Sequence, residues 1–428
     1  HKSYNLRTTP DLNKIKVITA TKNLYKQAYA GLTHRIWLLS VVMLINRCGT
    51  MVLAFMTLYC THLGYTIQQG GAVVAIYGVG AVTGALIGGK LSDKFGFYYM
   101  QFGALFFGGV MFIILGQMQS YTSICICTFI LSMVNESFRP ANASAIAHYS
   151  SAQNRTQSFS LVRLAINLGW GVGSALGGFL ASINYHLLFW VDGFTNISAA
   201  ILLLIILPKV TVAQQQNLSG IKKSVQKISN AVFRDKAFLY FLFFQLLFAI
   251  CFFQLFTTIP IFFKSHLGLD EFHIGTIMAA NGIIIAVFEM VLVFKLEGRK
   301  PYLTLIRNGS LMMGVAFLFL NLPLHNGLQV AVLAMLVISV AEMLSMPFMN
   351  SYYISLSTEQ TRGQYAGLYT MTWSTAQVIG SSTGSVIAYQ FGFFNLWVIV
   401  FLLCMVAATG YYWLQKKEKA ASFKSRLL

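Results

Sequence analysis

Long apolar runs separated by short polar gaps fill most of the chain. Each run has about 20 or more residues, which is the length that a helix needs to cross a bilayer. The runs are continuously apolar and do not alternate at period two, so a closed β-barrel is excluded. The pattern predicts twelve transmembrane helices, here numbered segments 1 to 12, near residues 36–61, 69–91, 98–117, 122–148, 157–181, 186–207, 238–263, 273–296, 301–321, 327–354, 363–389 and 394–414.

The polar gaps predict how the chain crosses the membrane. Lysine and arginine lie in the N-terminal stretch, in the even-numbered gaps and in the tail, whereas the odd-numbered gaps contain one candidate, Lys264. Because positively charged loops stay in the cytoplasm, both termini and the even-numbered gaps are expected to be cytoplasmic. We therefore expect a multi-pass protein of the cell inner (plasma) membrane.

The chain also divides into two similar halves. Its longest gap separates segments 6 and 7, and one constant shift places Pro140 on Pro347 and Arg155 on Arg362. Parallel repeats of this kind occur in transporters whose halves are related by an axis along the membrane normal. The predicted parts are a cytoplasmic N-terminal segment over 1–35, a six-helix bundle over 36–207, a cytoplasmic linker over 208–236, a second six-helix bundle over 237–414 and a basic cytoplasmic tail over 415–428.

Composition and charge support a membrane protein and exclude another class. Hydrophobic residues make up 56% of the chain and charged residues 10%, against about 45–50% and about 25% in soluble domains. The net charge of +18 could indicate a nucleic-acid partner, but the basic residues lie in the gaps between apolar runs. They are interpreted as a topology signal first and as contacts with anionic lipids second. No nucleic-acid partner is expected.

The gap between segments 2 and 3 carries a motif. It reads GKLSDKFG from Gly89 to Gly96, and it resembles the major facilitator superfamily signature Gly-x-x-x-Asp-(Arg/Lys)-x-Gly. Gly89 permits close helix packing, Gly96 permits a tight reversal, and Asp93, followed by Lys94, can sit at a helix N-terminus or pair with a basic residue. The resemblance implies an all-α fold of twelve transmembrane helices in two six-helix bundles, with these residues in gating. The second half keeps only Glu297 before basic residues, which predicts a degenerate counterpart.

A few charged residues lie at membrane depth. Each costs about 2.5–3.5 kcal/mol at the centre of a span even on a lenient scale, so such residues usually face a partner or a watery cavity. Glu136 and Arg139 share one helix face and could form a local structural pair; Arg163 and Asn167 also share a face. The charged set consists of Arg47, Glu136, Arg139, Arg163, Glu289 and Glu342.

Four stretches resemble the proton-dependent oligopeptide transporters. That likeness implies that Arg47 and Arg139 meet a substrate carboxylate and that Glu342 meets its ammonium group. The paired glutamates of that family's first helix are absent, and Arg139 replaces a lysine, so protonation would rest on Glu136, Glu342 or Glu289. The four stretches are NRCGTM at 46–51, FRPAN at 138–142, INLG at 166–169 and AEMLSMP at 341–347.

A second resemblance is to drug/proton antiporters. Their fifth-helix motif, Gly-x-x-x-Gly-Pro-x-x-Gly-Gly, is matched by Gly169, Gly173, Gly177 and Gly178, but Ser174 occupies the proline position. A glycine run also simply permits tight helix packing, and this explanation is sufficient for the pattern.

Several arginines opposite glutamates suit a zwitterion or an anion better than a lipophilic cation. We therefore predict a proton-coupled secondary active transporter that moves a small zwitterionic or anionic, peptide-like organic solute by alternating access. The alternative is a drug/proton antiporter that exports amphipathic compounds. No enzymatic motif is found in the sequence, and no cofactor is expected, since the proton gradient drives transport. The expected partners are the small-molecule substrate, protons and membrane lipids, and the protein is expected to be a monomer. The expected substrate-binding residues are Arg47, Arg139, Arg163, Asn167 and Glu342, and the expected proton-coupling residues are Glu136, Glu342 and Glu289.

Overall fold

The computed structural model describes residues 22–210, 231–322 and 326–427. Parts of the predicted N-terminal segment, of the linker and of the tail lie outside these residues. Within them the chain forms helices and no strand. We call residues 22–210 the first half and residues 231–427 the second half. The side that the positive charges predict to be cytoplasmic is called the inner face.

The helices follow the predicted segments closely. Ten of the described helices are long and apolar enough to cross a membrane. One of them contains segments 11 and 12, which bend apart at Gly392 (φ 80°), and segment 1 adds a span made of two shorter helices. The twelve predicted spans and the all-α fold are thereby confirmed.

The helix bounds are His34–Cys48 and Val52–His62 for segment 1, Ile67–Phe95 for segment 2, Phe97–Leu115 for segment 3, Tyr121–Glu136 and Phe138–Tyr149 for segment 4, Arg155–Ile183 for segment 5, His186–Ile206 for segment 6, Ala231–Arg234 for a short helix, Lys236–Ser265 for segment 7, Glu271–Leu296 for segment 8, Tyr302–Phe319 for segment 9, Gly327–Leu356 for segment 10 and Arg362–Leu427 for segments 11 and 12.

Local sequence explains where several helices begin. Segment 2 starts with a capping box, in which the Thr66 hydroxyl accepts from the backbone N–H of Gln69 and the Gln69 side chain accepts from the backbone N–H of Thr66. The Asp235 and Asp270 carboxylates cap segments 7 and 8 in the same position. Such caps satisfy backbone N–H groups that a helix leaves unpaired at its N-terminus. The spans therefore begin at the polar residues that close each gap.

The two halves touch along defined helices. Segments 2 and 4 of the first half pack on segment 11, and segment 5 packs on segments 8 and 10. The backbones of segments 2 and 11 are closest at two glycines, since a Cβ added to Gly89 would lie 2.5 Å from the Gly363 carbonyl oxygen. Larger residues at either position would force these helices apart.

A short helix precedes segment 1 at the inner face. It spans Lys22–Tyr29, is bent by 93° from His34–Cys48, and is called the surface helix. The Tyr25 hydroxyl donates to the Val287 carbonyl oxygen of segment 8 (2.9 Å), and the Gln157 side chain of segment 5 donates to the Ala28 carbonyl oxygen (3.3 Å). The surface helix is therefore bonded to both halves.

Candidate functional site

Arg163 joins the two halves through ion pairs. Its Nη1 lies 2.6 Å from Glu289 Oε2 of segment 8, and its Nη2 lies 2.8 Å from Glu342 Oε2 of segment 10. The arginine side chain is 16% exposed and each glutamate side chain 4%. We call these three residues the inter-half cluster. Because one guanidinium faces two carboxylates, the fully ionised cluster carries one excess negative charge in a buried place.

The two carboxylates differ in their remaining contacts. Asn281 of segment 8 donates to Glu342 Oε1 (3.1 Å) and to the Ser339 hydroxyl (2.9 Å), so both oxygens of Glu342 are occupied. The other oxygen of Glu289, Oε1, is buried and makes no well-formed hydrogen bond, with the Ser160 hydroxyl as the nearby donor. A buried acceptor without a well-formed hydrogen bond is costly. Glu289 therefore has an open position at which a proton or another positive group can be held.

A second charge cluster lies within the first half. Arg139 Nε pairs with Glu136 Oε2 at 2.7 Å, and the Tyr77 hydroxyl donates to Glu136 Oε1 at 3.3 Å. Arg47 of segment 1 lies within electrostatic range of all three residues, and its Nε is buried without a hydrogen-bond partner. We call Arg47, Tyr77, Glu136 and Arg139 the first-half cluster. Two guanidiniums and one carboxylate give it one excess positive charge.

The structure thus divides the charged residues that sequence reasoning expected to converge. Arg163 and Glu342 lie together, as do Arg47 and Arg139, but the two groups form separate clusters of opposite excess charge. Asn167, one turn beyond Arg163, is half-buried. A cavity of about 240 Å³ lies elsewhere, near the inner ends of segments 9, 10 and 12.

The signature between segments 2 and 3 contacts the opposite half. The Asp93 carboxylate accepts from the backbone N–H groups of Gly363 (2.8 Å) and Gln364 (3.0 Å), the first residues of segment 11. Gly96 adopts φ 88° at the reversal. Lys94 is exposed and lies over the Phe95 ring. Asp93 therefore acts as a helix cap across the interface rather than as a partner of Lys94.

The second half repeats this contact. Glu297 Oε1, at the end of segment 8, accepts from the Thr156 backbone N–H at the start of segment 5 (3.0 Å). The signature sequence is lost here, as expected, but the Glu297 carboxylate still caps a helix of the other half. That this second gate is degenerate stays a prediction. Both caps lie at the inner face and hold the halves together there.

The glycine run of segment 5 packs against segment 1. A Cβ added to Gly169 would lie 2.6 Å from Arg47 Cβ, one on Gly173 3.0 Å from the Cys48 carbonyl oxygen, and one on Gly177 3.1 Å from Met51 Cβ, whereas Gly178 has nothing within 4 Å. This close packing accounts for the first three glycines.

Sequence reasoning missed one buried acid and one helix break. Asp192 of segment 6 is 0% exposed, and its carboxylate accepts from the backbone N–H groups of Met51 and Val52, where segment 1 is interrupted. Asp192 lies six residues after the start of the helix that begins at His186. The sequence signal for the break was the polar pair Gly49-Thr50 within segment 1.

Across the described ranges, no three histidine, cysteine, aspartate or glutamate side chains come together as a metal site. The buried carboxylates of the two clusters can exchange protons and ion-pair partners.

Comparisons with known proteins agree with this arrangement. The family model of the Major Facilitator Superfamily matches residues 36–381. The chain is 24% identical to "Multidrug resistance protein 2" of Bacillus subtilis over 82% of this chain and 88% of that protein. It is 23% identical to a "Na(+), Li(+), K(+)/H(+) antiporter" of Planococcus maritimus, over 86% and 93%. Its fold is similar to a crystal structure of a bacterial homologue of the iron transporter ferroportin in the outward-facing state, with TM-score 0.72, 15% identity, and coverage of 90% and 100%.

Proposed function

Because the chain belongs to the Major Facilitator Superfamily, and is therefore a multi-pass membrane transporter rather than an enzyme, we propose that it is a proton-coupled antiporter that exports amphipathic organic compounds. The observation that carries this proposal is the inter-half cluster, in which Arg163 of one half is bound by Glu289 and Glu342 of the other. Names of relatives that refer to multidrug resistance and to cation/proton antiport support the same direction.

The charge of the inter-half cluster gives the exchange a physical basis. One guanidinium neutralises one of the two buried carboxylates, and the other requires a proton or a cationic group. A proton and a positively charged substrate therefore compete for the same place, so binding of one favours release of the other. Such competition is what antiport requires, whatever the substrate's remaining structure.

An aromatic wall next to the cluster suits amphipathic substrates. Tyr369 of segment 11 lies within electrostatic range of Arg163 and stacks on Tyr353, with ring centroids 4.4 Å apart. Trp373, one turn further, meets the edge of Phe252 at 5.5 Å. Aromatic side chains provide apolar contact area and attract cations through their ring faces. A flat, positively charged compound would find both kinds of contact here.

The first-half cluster favours a second candidate. Its excess positive charge, the buried free Nε of Arg47 and the 42% exposure of the Arg139 side chain fit a solute carboxylate. This is the peptide-like, zwitterionic or anionic solute predicted from sequence, moved together with protons. We place it second because Glu342, its expected ammonium partner, is already engaged by Arg163 and Asn281, and because the relatives' names refer to resistance and antiport.

We propose alternating access as the mechanism. The bundles over 36–207 and 237–414 would rock about the inter-half cluster, and Asp93 and Glu297 would hold the inner face closed. Protonation of Glu342, Glu289 or Glu136 would change the strength of the ion pairs that these residues form. Gly89 and Gly96 would shape the gate around Asp93. The protein would work in the plasma membrane as a monomer with both termini in the cytoplasm. The proton gradient would drive it without a cofactor, and lipids would contact its basic inner face.

The test uses the purified protein in proteoliposomes with an imposed pH gradient. A lipophilic cationic dye should move towards the acidic side, whereas accumulation of a dipeptide on the alkaline side would instead support symport. Glu342→Gln should abolish proton-driven movement of the dye while leaving dye counterflow largely intact. Glu359→Gln, in the turn between segments 10 and 11 and outside both clusters, is the control. Unchanged uphill transport by Glu342→Gln would remove Glu342 from the proton role.

A further inference from the structure

Segment 1 is broken inside the membrane. Its first helix ends at Cys48 and its second begins at Val52, after 15 and before 11 helical residues. At the break the Thr50 hydroxyl donates to the Arg47 carbonyl oxygen (2.9 Å). Broken helices at membrane depth are tolerated only where protein groups or a cavity satisfy the freed backbone, and in transporters they often form ion sites.

Asp192 supplies one side of this break. Its carboxylate receives the Met51 N–H at 2.9 Å and the Val52 N–H at 2.8 Å, and it is 0% exposed. In the described chain no lysine, arginine or histidine forms an ion pair with it. The N-terminus of an 11-residue helix offers only about half a positive charge. The carboxylate therefore keeps an uncompensated part of its negative charge in a fully buried place.

A small cavity adjoins this carboxylate. Its volume is about 20 Å³, and a single water-sized particle needs roughly 10–15 Å³. Segments 1, 2, 3, 4 and 6 all line it. The polar or titratable groups among the lining residues are the Asp192 carboxylate and the Thr50, Thr128 and Tyr77 hydroxyls; the others are apolar side chains, namely Val52, Leu53, Met56, Phe112, Leu115 and Leu131.

One of these hydroxyls has no partner. Thr128 is 2% exposed, and its Oγ1 makes no hydrogen bond. The Thr50 hydroxyl donates its hydrogen bond to the Arg47 carbonyl oxygen, so the lone pairs of the hydroxyl oxygen remain available to a ligand. A carboxylate and two hydroxyl oxygens around a space for one particle are the ligand type that hard cations prefer.

We propose that this cavity binds one small alkali cation, Na⁺ or Li⁺, held by the Asp192 carboxylate and the Thr50 and Thr128 hydroxyls. The cation neutralises the charge that the helix N-terminus leaves uncompensated. It also fixes the break one turn from Arg47, and Tyr77 on the cavity wall bonds Glu136. Occupation of the site therefore sets the position of the first-half cluster. The site is distinct from the inter-half cluster and does not rest on the proposed function.

The test measures thermal unfolding of the full chain in detergent at pH 8, in NaCl, LiCl or choline chloride at equal ionic strength. Na⁺ and Li⁺ should raise Tm in a saturable manner, by about 2–5 °C at saturation. The effect should weaken as the pH falls, because protons compete for the carboxylate. Equal Tm values in the three salts would overturn the proposal. A Tm that responds to pH but not to Na⁺ would also overturn it and assign the carboxylate to a proton.

Two variants locate the effect. Asp192→Asn keeps an oxygen that can cap Val52 but removes the charge, so the Na⁺ shift should vanish. Thr128→Val removes one ligand with little change in volume and should raise the half-saturating Na⁺ concentration about tenfold; it decides the matter if Asp192→Asn does not fold. Thr372→Val, at a buried threonine of segment 11 that does not line the cavity, is the control and should keep the full shift. A Na⁺ shift that persists in Asp192→Asn and Thr128→Val would contradict the site.

The two proposals fail independently. Loss of dye transport in Glu342→Gln with an intact Na⁺ shift leaves the cation site standing. An absent Na⁺ shift with intact dye exchange overturns the cation site alone.

Discussion

Replacing Asp93 with alanine is expected to open the inner face of this transporter. In the closed arrangement the carboxylate accepts two backbone N–H groups of segment 11, at 2.8 and 3.0 Å. Hydrogen bonds to a charged group contribute about 1.5–3 kcal/mol each, and a carboxylate at a helix N-terminus adds about 0.3–1 kcal/mol. In the open arrangement water forms hydrogen bonds to the carboxylate and to the two N–H groups instead. The net preference for closure is therefore about 1–3 kcal/mol, or about 5- to 150-fold in the ratio of closed to open molecules.

Distances between spin labels measure that ratio directly. The labels would be placed at Lys94→Cys and Lys300→Cys, two exposed positions at the inner ends of segments 2 and 8, in a background whose six cysteines are replaced by serine. Asp93→Ala should increase the long-distance population. Asp93→Asn, which keeps one acceptor oxygen but no charge, should increase it less.

A matched control separates the cross-half contact from capping in general. Asp270 accepts the His273 backbone N–H at 2.8 Å within segment 8 itself, so Asp270→Ala removes a similar cap within one helix, together with the Asp270–His273 ion pair. It should leave the distance distribution unchanged. If Asp93→Ala left the populations at their original values, or if the control shifted them equally, the reasoning that Asp93 holds the inner face closed would be refuted.

Three further outcomes are expected. A lysine in Arg163→Lys cannot reach both carboxylates of the inter-half cluster. Proton-driven dye exchange should therefore fall at least about tenfold, which corresponds to the loss of one charge-assisted hydrogen bond. An unchanged rate would contradict the role of the two-pronged Arg163 contact. Gly169→Ala should lower stability by about 1–3 kcal/mol in thermal unfolding, because its Cβ would collide with segment 1, whereas Gly171→Ala on the same helix, with nothing within 4 Å, should not. Burial raises the pKa of Glu297, so Glu297 binds its proton more tightly in the closed state than in an open state where it meets water. As the pH falls from the raised pKa towards the ordinary pKa, the closed state should therefore become more populated. Spin-label distances would reveal this change, and Glu297→Gln should remove it.

The sequence predicted the spans because lipid forces every backbone polar group to be satisfied within a helix. Apolar length therefore locates each span to within a few residues, and glycines and caps mark its ends. The signature also indicated that Asp93 could sit at a helix N-terminus, but it did not indicate that this helix would be segment 11 of the other half.

Partners from the other half could not be predicted. Arg163 meets glutamates 126 and 179 residues away, and no local pattern states which of several buried acids will face it. Glu297 shows the same limit, because its contact depends on the position of Thr156 rather than on the residues beside it. Asp192 was missed because its carboxylate accepts from backbone N–H groups. Such a contact needs no charged partner residue that could be recognised in the sequence.

The surface helix has a consequence for how fast the cycle can run. If segments 5 and 8 move apart, either the Tyr25–Val287 or the Gln157–Ala28 hydrogen bond must break. The surface helix therefore links the two segments across the interface between the halves. Lys22 and Lys26 are exposed on this helix, and lysines near a membrane surface attract anionic lipid headgroups. In the proposed alternating-access cycle, anionic lipid bound to these lysines would hold the surface helix in place and slow turnover without altering the charges of the two clusters.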